Sequence, residues 1–324
     1  YDRSVSTLLA VLMLIMYVMV ILPTILWLGA KAVNNLTGLE LIPAMILLGG
    51  LSLAYSLYGG LKAVALTDVI QVVLLIFGGL FVTYKGLDLL SEGNGLFEGF
   101  MILQSEFPEK FDAILSYAPK EVDPEAYANY IKLPGIWVLI GGMWIAHFYY
   151  WGTNQYITQR ALGGKSLDEA QNGLMFAGFL KIFMPIVVVL PGLIAVALEA
   201  NGTINLAGDR SNAYPSMLNL LPEGIKGLTF AALVAAIVSS LASLSNSVST
   251  IFTMDIYRKD QDINDVSLVK IGRIAGFVGL VTSIIVAPIF LGSLDSAFQY
   301  VQEYMGLFSP VILFVFLSAI FLKN

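Results

Sequence analysis

Residues 173–198 read GLMFAGFLKIFMPIVVVLPGLIAVAL, and Lys181 is the single charge in that run. As a helix rising 1.5 Å per residue, the stretch is about 39 Å long, enough to cross a hydrocarbon core about 30 Å thick. Comparable runs recur along the chain. They predict eight membrane spans, at 5–30, 41–60, 66–86, 134–158, 173–198, 226–253, 268–290 and 299–322. The runs are too long for strands and lack the period-two alternation of an outer-membrane barrel. The expected fold class is therefore an all-α polytopic membrane protein, with residues 1–324 forming one transmembrane domain.

Composition agrees. The chain has 324 residues, 57% hydrophobic and 12% charged, whereas soluble domains carry about 25% charged residues. Mean hydropathy is +0.81. There is no cysteine, so no disulfide or thiolate metal site can form. A net charge of −6 argues against a nucleic-acid partner, which needs a basic patch. No catalytic motif such as G-x-S-x-G, a Walker loop or HExxH occurs, so neither an enzyme nor an organic cofactor is expected. The chain opens on Tyr1 and stops at Lys323-Asn324 directly after an apolar run. No signal-peptide pattern precedes the first span, and the chain reads as a piece of a longer protein.

The acids gather in the hydrophilic stretch 87–133, among them Glu92, Glu98, Glu106, Glu109 and Asp112. Two further polar stretches fall at 199–225 and 255–267. An inside N-terminus puts Arg3, Arg160, Lys165, Arg258, Lys270 and Arg273 on the inner side, as the Lys/Arg bias of short loops requires. The acidic loop 87–133 is then external, and the expected location is the cytoplasmic membrane. Gly49-Gly50, Gly59-Gly60, Gly78-Gly79, Pro185, Pro191, Gly306 and Pro310 are candidate breaks within spans. Interrupted spans point to a transport site. The plainer reading is that Gly and Pro are simply commoner in membrane helices.

Several polar groups lie inside apolar runs. A charge at the centre of a membrane helix costs about 2.5–3.5 kcal/mol on insertion scales, so Lys181 must pair, snorkel or face a wet cavity. In a cavity it is a donor to solute hydroxyls; otherwise it is a structural pair. Ser239, Ser243, Asn246 and Thr250 share one helix face. Their oxygens suit a small hard cation, and they suit helix packing too. Asp68 opens the third predicted span, where it reads first as an N-terminal acid favoured by the helix dipole. A place on a cation path is the sharper alternative.

The stretch MWIAHFYYWGTNQYITQR, 143–160, sets aromatic rings beside Asn154, Gln155 and Gln159. Rings offer a flat apolar surface to a sugar, and amides fix its hydroxyls; an interfacial aromatic belt has the same composition. His147, the one histidine, cannot build a multi-histidine metal site. Phe298 and Gln302 stand at i and i+4, and Glu303 is a candidate counter-charge for Lys181.

YSLYGGLKAVALTDVIQV (55–72), YYWGTNQYITQR (149–160), FLKIFMPIVVVLPG (179–192), AAIVSSLASLSNSVSTIFTMDIY (235–257) and AFQYVQEYMGLFSP (297–310) together resemble the sodium/solute symporter family, and most closely its bacterial sodium/galactose branch. The resemblance runs along the whole chain. It implies a LeuT-type fold of two inverted five-helix repeats, with these spans as core helices three to ten. It also implies sodium-coupled uptake of a sugar or related polyol, with Na⁺ as the coupling ion. The same machine with myo-inositol, sialic acid, an amino acid or a vitamin is the nearest alternative, followed by a membrane sensor that binds solute without moving it.

Position by position, the resemblance puts sugar contacts at Lys181 and Gln302. It puts an inner gate at Tyr150 and an outer gate at Phe298. Sodium ligands fall at Ala236 (through its carbonyl), Ser239 and Ser240, with Asp68 and Ser243 as further candidates. His147 stands where the galactose branch has a sugar-contacting asparagine. Its ring is bulkier than an amide, which favours another sugar or polyol over galactose.

Overall fold

The computed structural model describes residues 3–112, 114–132, 135–258, 263–292, 294 and 296–322, with side chains described throughout except at 57–66 and 132. The Gly59-Gly60 pair falls among those side chains. Residues 133–134, where the acidic loop is expected to meet the fourth span, and residues 259–262 of the third polar stretch lie outside the described residues. Every regular element among the described residues is helical.

Among the described residues, seven helices are long and apolar enough to cross a membrane: Arg3–Thr37, Thr67–Leu90, Pro124–Gly152, Leu167–Ala200, Glu223–Arg258, Asp265–Leu291 and Ala297–Phe321. The span expected at 41–60 lies in the first part of the helix Leu41–Leu90, which is apolar over Leu41–Ser56. We number the helices used below in chain order. They are α1 Arg3–Thr37, α2 Leu41–Leu90, α3 Leu96–Glu106, α4 Pro124–Lys132, α5 Met143–Gly152, α6 Gln155–Leu162, α7 Leu167–Ala200, α8 Ala213–Asn219, α9 Glu223–Ile251, α10 Asp265–Leu291 and α11 Ala297–Phe321. Within α1, residues Met16–Ile21 form a π-helical turn. The acidic stretch 87–133 is not bare loop: it carries the end of α2 and both α3 and α4.

Helical backbone is continuous through α2, yet it bends between two arms that meet near Tyr55 and Thr67. The hydroxyls of Tyr55 and Thr67 are hydrogen-bonded. Twelve residues of straight helix rise about 18 Å, beyond the reach of those two side chains. The second arm then runs antiparallel to α9, since Asp68 meets Ser239 and Gly78 faces Thr229. It runs parallel to α7, since Gly79 faces Val187 and Gly86 faces Ile194.

α7 passes through Pro185 and Pro191, and α11 passes through Gly306 and Pro310, as single helices. Pro191 lacks the N–H that would bond Val187 O, and that carbonyl faces Gly79. The hydroxyl of Thr83 donates to the adjacent Ile186 carbonyl at 2.9 Å. Gly78 and Gly79 are packing positions. A Cβ on Gly78 would stand 2.5 Å from Thr229 Cγ2, and one on Gly79 would stand 2.3 Å from Val187 Cγ1.

The real interruption lies inside the predicted span 134–158. α5 ends at Gly152, and Asn154 (φ −78°, ψ 114°) caps α6 by accepting the Tyr156 N–H. At the end of α5 the Tyr149 carbonyl accepts from both the Thr153 and the Asn154 amides.

Two apolar clusters hold the bundle. One surrounds Tyr17, Leu26, Leu48, Leu244 and Leu280. The other joins the end of α2 to α3, α7 and α8 through Val82, Leu103, Ile194 and Met217. Large apolar side chains such as Ile70, Phe176, Ile182, Phe277 and Phe314 face outward, as hydrocarbon-facing helices require.

Candidate functional site

A cavity of about 830 Å³ is lined by Asp68, Gln71, Val72, Leu75, Arg160, Gly163, Lys165, Ala236, Ser239 and Ser240. It lies between the second arm of α2, α6 and α9. Four of the residues singled out in the sequence for a cation, Asp68, Ala236, Ser239 and Ser240, therefore share one space. Ser239 is 2% exposed and its hydroxyl donates to one carboxylate oxygen of Asp68. The other carboxylate oxygen accepts from Arg160 Nη2 at 3.0 Å. The same Nη2 donates to Ser243 Oγ at 2.9 Å.

The reading of Asp68 as a helix-opening acid is corrected. Helical backbone runs through it, and its carboxylate is spent on a serine and a guanidinium rather than on free N–H groups. Carboxylate and hydroxyl oxygens are hard ligands of the kind a small cation takes.

Arg160 is the residue the sequence reading missed. It stood out only as one of several inner-side bases, because its partners lie 92 and 83 positions away. Its only local signal is the cap that starts α6 six residues earlier. Asn154 and Gln159 are corrected as solute-facing amides. Asn154 Oδ1 accepts the Tyr17 phenol at 2.6 Å. Gln159, 7% exposed, donates to Ser243 O at 3.3 Å and accepts from Asn246 Nδ2 at 3.4 Å. Both tie α6 into the bundle. Thr250, at the end of the polar face, bonds back to Asn246 O within α9.

A second group forms at the junction of α5 and α7. Lys181 is exposed, and its Nζ stands 4.2 Å from the Trp151 ring centroid. The faces of tryptophan rings attract cations, worth about 0.5–2 kcal/mol. Trp151 in turn meets the Tyr150 ring edge to face at 5.2 Å, and Tyr150 packs against the first apolar cluster. The structure thus brings Lys181 to within one ring of Tyr150.

α11 packs along α5 and carries Phe298 and Gln302, both exposed; His147 is exposed on α5. Among the described residues no hydrogen bond joins Gln302 or His147 to Lys181. The suggested Lys181–Glu303 charge pair is also absent among them: Glu303 accepts from Gln299 Nε2 at 2.9 Å.

Known proteins are similar in sequence to this chain along essentially its full length. Residues 1–324 match the Sodium:solute symporter family. The chain belongs to this family. It is 44% identical over 338 residues to a sodium/glucose cotransporter of Vibrio parahaemolyticus, covering all of this chain and 61% of that protein. It is 31% identical over 342 residues to sodium/myo-inositol cotransporter 2 of Mus musculus, covering 99% of this chain and 50% of that protein. Among solved structures, a Na⁺-coupled sialic acid symporter in a substrate-bound outward-open state is similar, with a TM-score of 0.79 at 23% identity, over all of this chain and 64% of that one. The chain thus spans roughly half to two-thirds of the length of these relatives. The symporter's fold, the LeuT-type inverted-repeat architecture, is also that of this chain.

Proposed function

We propose that this chain carries the core of a sodium-coupled symporter for a sugar or related polyol, working by alternating access in the cytoplasmic membrane. The observation that carries the reading is the shared cavity of Asp68, Ala236, Ser239 and Ser240. Family membership supports sodium as its ion. In this reading the Ala236 carbonyl and the Ser239 and Ser240 hydroxyls hold Na⁺, while Asp68 and Ser243 assist its passage. Lys181 and Gln302 donate hydrogen bonds to solute hydroxyls, with His147 as a further contact. Tyr150 closes the site from inside and Phe298 from outside. Trp151 holds the Lys181 ammonium beside the gate, so gate movement and solute release are linked. The helical spans are read as core helices three to ten, the chain start as cytoplasmic, and the acidic stretch 87–133 as external.

The test is uptake by proteoliposomes of the full-length protein under an inward Na⁺ gradient. Solute accumulates with Na⁺ and not with K⁺; equal accumulation with both rejects the coupling. One observation favours a solute other than galactose, namely the imidazole of His147 in place of an amide. Competition between galactose, glucose, myo-inositol and sialic acid for uptake decides between them.

A further inference from the structure

Arg160 places a permanent positive charge at the edge of the cavity where a cation is expected. Its Nη2 forks to Asp68 at 3.0 Å and to Ser243 at 2.9 Å, and the other oxygen of Asp68 is held by Ser239. The guanidinium therefore engages the same carboxylate and serine face that a small cation would use. Two unit charges a few ångströms apart repel each other strongly away from bulk water. The Arg160 side chain remains 34% exposed, which leaves it room to withdraw. It also sits on a consequential element. α6 begins at the helix interruption directly after Tyr150 and Trp151. The guanidinium is anchored to α6 itself, 5.6 Å over the Tyr156 ring and 3.4 Å from Tyr156 O.

We propose that Arg160 is a tethered counter-cation. Its guanidinium competes with Na⁺ for Asp68 and the hydroxyls of Ser239 and Ser243, and the exchange transmits cation occupancy to α6 and the adjoining gate. The inference rests on the sodium reading above and names how that site is regulated. A merely structural tie between α6 and α9 has the opposite signature: without it the cation oxygens are less well placed, and Na⁺ binds no better.

The experiment is Na⁺ titration of the full-length protein in nanodiscs at constant ionic strength, with choline as replacement. It is read by tryptophan fluorescence and, in proteoliposomes, by the Na⁺ dependence of uptake. In Arg160→Gln the half-saturating Na⁺ concentration falls about 5-fold or more, the lower end of typical coupling between sites. Arg160→Lys, which keeps the charge but loses the planar, pre-organised guanidinium fork, shows a smaller fall and carries the test alone if the glutamine variant does not fold. An unchanged or raised half-saturation in a folded variant overturns the proposal. Absence of any Na⁺ response in the wild type rejects the sodium reading itself.

Discussion

The phenol of Tyr17, in the π-helical turn of α1, donates to Asn154 Oδ1 at 2.6 Å across 137 positions of sequence. The Tyr156 amide donates to both partners, at 3.2 Å to the phenol oxygen and 3.1 Å to Asn154 Oδ1. The start of α6 is thus capped jointly by its own asparagine and by a buried tyrosine of another span. Asn154→Ala removes the cap and strands the Tyr17 hydroxyl, at a cost of about 1–2 kcal/mol. Tyr17→Phe costs about 1 kcal/mol. In a double-mutant cycle on heat-denaturation midpoints the two losses are not additive; strict additivity refutes the joint cap.

Helix packing decides the fate of the glycines on α2. Gly79→Ala drives a methyl into Val187 and loses about 1–3 kcal/mol of stability. A Cβ on Gly50 would meet nothing within 4 Å, so substitution by alanine there gains helix propensity. Thermal melting of the two purified variants separates them, and equal melting points contradict the packing role.

Ser239→Ala removes a hydroxyl from the candidate cation site and leaves Asp68 with one fewer donor. Half-saturating Na⁺ rises about tenfold, the equivalent of about 1.4 kcal/mol lost from a charge-assisted contact. Thr250→Ala, on the same helix face but bonded only within α9, leaves Na⁺ dependence unchanged. Equal effects of the two substitutions remove Ser239 from the site.

Lys181→Ala abolishes solute uptake, because it deletes both the ammonium and its contact with Trp151. The Na⁺-induced fluorescence change persists, since the cation cavity lies between other helices. Retained uptake places the lysine outside the solute path.

Lys31, in the last turns of α1, pairs with Asp209 of the polar stretch 199–225, which lies outside the membrane spans. Burial alone raises the Asp209 pKa. The hydrogen bond and charge of Lys31, with the Ser211 amide, outweigh it and hold the carboxyl below its ordinary 3.8. A folded-state pKa below the unfolded value contributes stability above 3.8, lost as pH falls through the lower folded value. Asp209→Asn therefore melts earlier than wild type at pH 7, and the gap narrows below pH 3.8. A gap independent of pH excludes the ion pair as its source.

Much of this was legible in the residues themselves. Apolar runs longer than a bilayer is thick located the spans, and residue spacing put Ser239 and Ser243 on one face of α9. Both follow from local periodicity. The same logic left Pro185, Pro191 and the glycine pairs open between breaks and ordinary membrane-helix residues, since a break depends on whether a neighbour donates to the freed carbonyl or fits the close approach. It also passed over Thr153-Asn154, where the chain does interrupt its helix, because the stabilising phenol comes from Tyr17.

By itself, then, the sequence determined a helical membrane chain with an ammonium and a row of hydroxyls embedded in apolar spans. Hydropathy and helical period are properties of neighbours along the chain. Only the tertiary structure decided that Asp68, Ser239, Ser243 and Arg160 form one network, and that Lys181 rests on Trp151 rather than pairing with Glu303. Those choices turn on which charges and oxygens meet across helices, and the antiparallel docking of the second arm of α2 on α9 sets those distances.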